Sequence, residues 1–199
     1  MSNIHKDYEG AKLGMWLFLF TEILLFGGMF LLYAIYLAKF PSEFHKGGDE
    51  LDVVIGGVNT VVLLISSFFV AISITAIRLG NKKACLRYVY ITIACSLIFL
   101  VNKFFEWKAK FSHGIYPDSE HLKELSQGEN IFYGLYFLMT GLHGLHVIIG
   151  AVVLGFAVYF IQRDKINKED FVFLENGGLY WHLVDLIWIF LFPLFYLVL

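Results

Sequence analysis

The chain has 199 residues, of which 58% are hydrophobic and only 16% charged, and its formal net charge at pH 7 is −2. This composition excludes a soluble globular domain, and it offers no basic surface for binding nucleic acid. Its two cysteines, Cys85 and Cys95, match neither a disulfide framework nor a paired-thiol metal site. We therefore expect a membrane protein whose cysteines are small core residues.

Five segments contain the roughly 20 mainly apolar residues that a membrane-spanning helix needs. In chain order they cover 13–38, 53–77, 86–107, 131–161 and 178–199. The connections between them are polar, and the sequence shows no internal repeat and no second domain. The sequence therefore predicts an all-α, polytopic membrane protein, in which one membrane domain, 1–199, is a bundle of five transmembrane helices.

The distribution of lysine and arginine predicts how this bundle is oriented. Positive charge is concentrated in the cytoplasmic loops of membrane proteins. The N-terminus and the second and fourth connections carry most of the cations of this chain, whereas the cations on the opposite side are fewer and lie in longer loops. We therefore expect the N-terminus inside and the C-terminus outside.

An acidic residue, Glu22, lies within the first predicted span. Phe18, Leu19, Leu25 and Phe26 are one helical turn away from it, and an ionised carboxylate on such an apolar face would be very unfavourable. A proton-linked carboxyl and a neutral acid that is hydrogen-bonded to another helix both explain its presence.

The fourth predicted span contains the sequence G-L-H-G-L-H-V-I-I-G. His143 and His146 are three residues apart, so they share one face of the helix. An adjacent stripe of small residues should let another helix approach closely. We name these residues the small-residue stripe: Thr140, Gly144, Ala151 and Gly155.

Further polar side chains lie in the third and fifth spans. Lys103 and Glu106 are at positions i and i+3 and could form an ion pair near the outer boundary. His182 and Asp185 lie in the fifth span at a depth similar to that of Glu22 and the two histidines of the fourth span. These groups could meet across the bundle, either in a proton-linked or in a structural role.

The histidines also raise the question of a bound metal or haem. His143 and His146 could form half of a metal site, but no cysteine or second acid is placed to complete it. His143 and His182 could in principle ligate a haem from opposite sides. The residues therefore leave open a small b-type cytochrome and a proton-coupled transporter that uses Glu22 and Asp185, although the repeats and broken helices of transporters are not evident.

Three motifs resemble subunit III of the haem-copper terminal oxidases. They are G-M-W-L-F-L-F-T-E-I-L-L-F in the first span, T-G-L-H-G-L-H-V-I-I-G in the fourth and Y-W-H-L-V-D-L-I-W-I-F-L-F in the fifth. N-T-V-V-L-L-I-S-S and F-E-W, in the second and third spans, agree with the family in order. The similarity covers almost the whole chain.

This resemblance implies an accessory subunit with no redox centre and no metal or cofactor of its own. Its direct partner would be subunit I, which holds the haems and copper that reduce oxygen to water. Subunit II and an electron donor, cytochrome c or quinol, belong to the wider complex. Phospholipid would bind in a cleft between the helices, and the subunit would support proton uptake and lasting turnover by subunit I.

The resemblance also assigns residues. The intramembrane glutamate of the family matches Glu22, its paired histidines match His143 and His146, and its tryptophan-histidine-aspartate run begins at Trp181 and ends at Asp185. Longer members have seven spans, and this chain begins near their third. Glu22 and the Asn59–Thr60 pair favour the cytochrome c oxidase type over quinol-oxidising and nitric-oxide-reductase-associated relatives.

Overall fold

The computed structural model of the chain describes residues 7–117 and 119–197, and these residues form helices and short connections. The helices are α1 (Tyr8–Lys39), α2 (Pro41–Asp49), α3 (Val53–Arg78), α4 (Lys82–Ser112), α5 (Glu120–Glu124), α6 (Gln127–Gln162) and α7 (Val172–Tyr196). Five of them, α1, α3, α4, α6 and α7, are long and apolar enough to cross a membrane. The predicted fold class is therefore confirmed.

The helices extend beyond the predicted apolar segments because polar residues cap their first turns. Asp7 accepts a hydrogen bond from the backbone of Gly10 at the start of α1. Ser126 and Glu129 form a capping box at the start of α6, so that this helix begins four residues before the predicted span. A hydropathy criterion omits such polar turns, although they stabilise the helix by satisfying its free N–H groups.

The fifth span differs most from its predicted bounds. The prediction 178–199 began at the second of two adjacent glycines, but α7 begins at Val172 and runs through both of them. Both glycines are buried at helix contacts: a Cβ on Gly177 would lie 3.3 Å from Val153, and one on Gly178 would lie 2.7 Å from Ile74. Val198 and Leu199, the last two residues of the predicted span, lie outside the described residues.

Consecutive spanning helices alternate in direction, which gives the bundle two polar ends. We call the end at which α1 begins the N-face and the end at which α7 finishes the C-face. At the N-face Glu175 pairs with Lys12, at 2.9 Å, and with Arg78. At the C-face Lys46 of α2 lies 2.5 Å from Glu129, and this hydrogen bond raises the pKa of Lys46 above its ordinary value.

The centre of the bundle is α7, which packs against α1, α3 and α6. Trp181 and Trp188, both fully buried, are the largest side chains of this core. In contrast, α1 exposes most of its apolar surface, as Leu13 and Leu31 illustrate at 63% and 64% exposure. Such a surface is suited to contact with lipid or with other transmembrane helices.

The orientation of the two faces remains a prediction, and reporters can test it. A reporter at Lys82, on the N-face, should face the cytoplasm, whereas one at Leu199 should face the outside, because the cation bias places the N-face inside. A third reporter at Lys46, on the C-face, serves as the control and should be labelled together with Leu199 in intact cells. Labelling of all three from one side would contradict the alternation of the spans.

Candidate functional site

The intramembrane carboxyl of Glu22, on α1, is hydrogen-bonded to His146, on α6. Oε2 of Glu22 lies 2.9 Å from Nε2 of His146, and Nδ1 of the same ring lies 2.8 Å from the carbonyl oxygen of Leu142. A carbonyl oxygen can only accept a hydrogen bond, so Nδ1 carries the ring proton of the neutral form. One further proton therefore lies between Nε2 and Oε2.

That shared proton makes the pair neutral in either arrangement. The pair is a carboxylic acid beside a neutral imidazole when the proton is on Glu22, and a carboxylate beside an imidazolium when it is on His146. Both arrangements avoid an isolated charge in the apolar interior, which would be strongly unfavourable. The geometry can therefore hold a proton and move it over a single hydrogen bond.

Aromatic rings enclose this pair. The ring of Phe26 meets the His146 ring edge-on at a centroid distance of 5.3 Å, and Tyr180 of α7 stacks on it at 6.3 Å. The Tyr180 hydroxyl also donates to the backbone carbonyl of His146 at 3.3 Å. The Glu22 side chain keeps 14% of its surface exposed and that of His146 keeps 9%, so the site is close to the bundle surface but nearly closed.

His143 shares a helix face with His146 but has different surroundings. Its ring is fully buried between Trp188, at 5.1 Å, and Phe99, at 5.5 Å, and neither ring nitrogen has a hydrogen-bond partner among the described residues. A haem would have to displace these rings before it could reach the imidazole. The arrangement therefore does not fit haem ligation by His143.

The fifth span places His182 and Asp185 in a third environment. Nδ1 of His182 lies 2.6 Å from the hydroxyl of Ser67 on α3, whereas Asp185 is buried without a hydrogen-bond partner in the described chain. The predicted meeting of all five groups across the bundle is therefore only partly observed. Glu22 meets His146, and the other three groups lie apart from that pair.

Lys103 and Glu106 form a buried ion pair that is larger than the sequence indicated. Nζ of Lys103 lies 3.1 Å from Oε2 of Glu106 and is also bonded to the hydroxyls of Tyr136, at 3.1 Å, and Tyr196, at 2.9 Å. Oε1 of Glu106 accepts from the same two hydroxyls, at 2.5 Å from Tyr136. This four-residue network, which we call the Lys103 network, joins α4, α6 and α7.

Only part of the small-residue stripe lies on the outside of the bundle. A Cβ added to Gly144 or Gly155 would have no atom of the described chain within 4 Å, and Ala151 is half-buried. Thr140, in contrast, is buried, and its hydroxyl donates to the carbonyl of Tyr136 in the preceding turn. The glycine of α6 that packs most closely is instead Gly150, where a Cβ would lie 2.7 Å from Trp181. Packing of the stripe against another helix thus remains a prediction, and it concerns a partner chain.

The hydroxyls on α3 have partners that were not predicted from the sequence. Trp188 donates to Thr60 at 3.0 Å, and His182 is bonded to Ser67. Thr60 and Ser67 are seven residues apart, while His182 and Trp188 are six apart on the antiparallel helix α7. These similar spacings were the feature of the sequence that could have indicated side-chain pairing between the two helices.

Comparison with known proteins identifies the family. The family model described as cytochrome c oxidase subunit III matches residues 3–198. The chain belongs to the cytochrome c oxidase subunit III family. The subunit III sequence from Synechocystis sp. is 33% identical over 97% of this chain and 78% of its own length. That from Thermostichus vulcanus is 28% identical over 99% of this chain and 92% of its own.

A relative with a different printed name is also similar. The probable quinol oxidase subunit 3 of Staphylococcus aureus is 28% identical over 97% of this chain and 92% of its own length. Subunit III sequences from two oxidase types thus match the five-helix chain over nearly its whole length. Membership of the subunit III family confirms the resemblance stated from the motifs of the first, fourth and fifth spans.

Proposed function

We propose that the chain is the accessory subunit III of a proton-pumping haem-copper oxidase in a bacterial cytoplasmic membrane. It would bind directly to subunit I, which holds the haems and copper and reduces oxygen to water, and would itself have no catalytic centre. Its task would be to stabilise subunit I and to support its proton uptake. Membership of the family supports the assignment to an oxidase complex.

The observation that carries the proton-linked role is the Glu22–His146 hydrogen bond. A group that supports proton uptake must bind a proton in the apolar interior and pass it on. The pair can hold one proton in a neutral state and can move it between Oε2 of Glu22 and Nε2 of His146 over 2.9 Å without a change in net charge. Catalytic chemistry is not needed for this role.

The alternatives from other classes have less support. A b-type cytochrome needs two imidazoles that face one haem, whereas the ring of His143 is enclosed by Phe99 and Trp188. A proton-coupled transporter that uses Glu22 and Asp185 would need them on one path, but Glu22 is bonded to His146.

We infer cytochrome c as the electron donor of the complex, since Glu22 and the Asn59–Thr60 pair resemble the cytochrome c oxidase type. In the structure, the Thr60 hydroxyl accepts a hydrogen bond from Trp188. A quinol-oxidising complex is the second candidate, because of the similarity to the Staphylococcus aureus protein.

A structural phospholipid would place an acyl chain in the apolar groove of about 250 Å³ between α1 and α7, beside Phe26 and Phe190.

Replacing Glu22 by glutamine tests the proposed role. Glutamine keeps the shape and can donate a hydrogen bond to Nε2 of His146, but it cannot exchange a proton. We expect the initial rate of oxygen reduction to stay within about twofold of wild type, because the redox centres are in another subunit. Proton release or the durability of turnover should fall. Both are measured in vesicles with the reconstituted complex, together with oxygen consumption over many turnovers.

The matched control is Thr21→Ala, because Thr21 is adjacent and exposed, and among the described residues its hydroxyl is bonded only to the carbonyl of Phe18, at 2.7 Å. This variant should behave as wild type in all three measurements. Complete loss of oxygen reduction by an intact Glu22→Gln complex would show that Glu22 is catalytic. Unchanged rate, coupling and durability would reduce the Glu22–His146 pair to a structural contact.

A further inference from the structure

The interior of the bundle contains a buried carboxyl that is distinct from Glu22. Asp185 is 3% exposed, and neither of its oxygens has a hydrogen-bond partner among the described residues. A hydroxyl from α3, Ser67, and a thiol from α4, Cys95, lie near it. Neither group carries a compensating charge, so an ionised Asp185 would be strongly disfavoured.

Ser67 connects this carboxyl to an imidazole. Its hydroxyl neighbours Asp185 on one side and lies 2.6 Å from Nδ1 of His182 on the other. A serine hydroxyl donates one hydrogen bond and accepts others, and its hydrogen can rotate between neighbours. Ser67 can therefore accept a proton from one of these groups while it donates its own to the other.

His182 in turn borders an open cavity at the N-face. The cavity has a volume of about 390 Å³, and His182 lies in its wall together with Thr75 of α3. Its mouth carries Lys12 and Arg78, whose side chains are 50% and 54% exposed and both pair with Glu175. Charged side chains at the end of a spanning helix are stable only in contact with water, so the cavity offers the imidazole a route for proton exchange with the solution on that side.

Large rings separate Asp185 from the C-face. Trp188 lies one turn beyond Asp185 on α7, is fully buried and packs against Phe99 at 4.8 Å and His143 at 5.1 Å. Its indole N–H is bonded to Thr60 at 3.0 Å, which fixes the ring in place. The route from Asp185 to water is therefore one-sided.

We propose that Asp185 is a proton-binding site that exchanges protons with water at the N-face through Ser67 and His182. When the site releases its proton, Asp185 donates it to the Ser67 oxygen while the Ser67 hydroxyl proton passes to Nδ1 of His182. Ser67 therefore ends with one proton as before. The imidazolium then releases a proton from Nε2 to water in the cavity. Rebinding reverses these steps, and no electrons are transferred.

This site goes beyond the function proposed above, because it uses no residue of the Glu22–His146 pair and needs no redox partner. The two proposals can fail separately. If the tagged chain were isolated without an oxidase, the accessory function would be wrong, whereas the exchange of Asp185 could still be measured on the same sample.

Infrared spectroscopy during replacement of H2O by D2O tests the relay on the complex isolated through a tag on this chain. We expect a carbonyl band of a protonated carboxyl that is absent from Asp185→Asn and that shifts in D2O. In Ser67→Ala the shift should be about tenfold slower or more, because exchange would then require local opening of the helices. Ser67→Thr restores the hydroxyl and should restore the rate.

Ser73→Ala is the matched control, because Ser73 is also a buried serine of α3, but its hydroxyl has no partner in the described part of the chain other than the carbonyl of Val70, at 2.7 Å. It should exchange at the wild-type rate. Equal exchange rates in Ser67→Ala and wild type would overturn the relay. The absence of any protonated-carboxyl band that Asp185→Asn removes would overturn the site itself.

Discussion

Replacing Glu106 by alanine is expected to lower the free energy of unfolding by about 3 to 5 kcal/mol, because it removes one partner of a buried ion pair. Lys103 and Glu106 are 7% and 6% exposed, and Glu106 is the only carboxylate bonded to Lys103 among the described residues. Without Glu106, the hydroxyls of Tyr136 and Tyr196 would lose the carboxylate that accepts from them, and they would offer the charged Lys103 only neutral oxygens. Unfolding in mixed detergent micelles, followed by tryptophan fluorescence, measures the change.

The control for this prediction removes both charges together. A Lys103→Met, Glu106→Leu double variant leaves no unpaired charge and should recover most of the lost stability, since hydrophobic replacements of buried ion pairs are often tolerated. Tyr136→Phe removes one hydroxyl and should cost about 1 kcal/mol. A Glu106→Ala variant as stable as the double variant would show that the buried charge of Lys103 is stabilised without Glu106.

Gly150→Ala should destabilise the chain by about 1 to 3 kcal/mol, because its methyl group overpacks the contact between α6 and α7. The Cβ would lie 2.7 Å from Cε3 and 2.9 Å from Cζ3 of Trp181. That indole cannot shift freely, since it is fully buried and its Nε1 donates to Ser66 at 2.9 Å. Unfolding in mixed detergent micelles, followed by tryptophan fluorescence, measures this change as well.

Gly144→Ala provides the matched comparison on the same helix. A Cβ at Gly144 has no atom of the described chain within 4 Å, and alanine favours the helix by up to about 1 kcal/mol over glycine. We therefore expect unchanged or slightly higher stability of the chain. Equal losses at both glycines would mean that the helix backbone, and not Trp181, sets the requirement for glycine at Gly150.

The sequence predicted the five spans and the Lys103–Glu106 pair because both depend on local information. Hydropathy identifies a spanning helix, and a spacing of three residues places two side chains on one face. The same reasoning placed Glu22 and the histidines of the fourth span at one depth, but it could not choose between His143 and His146. Those two rings are about 60° apart on the helix, and only the packing of α6 decides which of them faces α1.

The partners contributed by distant helices were not predictable in the same way. Tyr136 and Tyr196 complete the Lys103 network, yet a tyrosine near the end of a span is equally suited to the membrane interface. Likewise the sequence suggested that the small-residue stripe packs, whereas Gly150 packs on Trp181. Which glycine meets a large ring depends on helix rotation and on the position of α7.

Three of the bonds between α3 and α7 affect how the protein meets its bilayer. Trp188 with Thr60, Trp181 with Ser66 and His182 with Ser67 would all break if one helix slid along the other by a turn, about 5.4 Å. A spanning segment in a thinner or thicker membrane adapts by sliding, by tilting or by deforming the lipid around it. Because sliding is blocked, α3 and α7 must tilt together, and the lipid around them must adjust to a hydrophobic length that the pair keeps fixed.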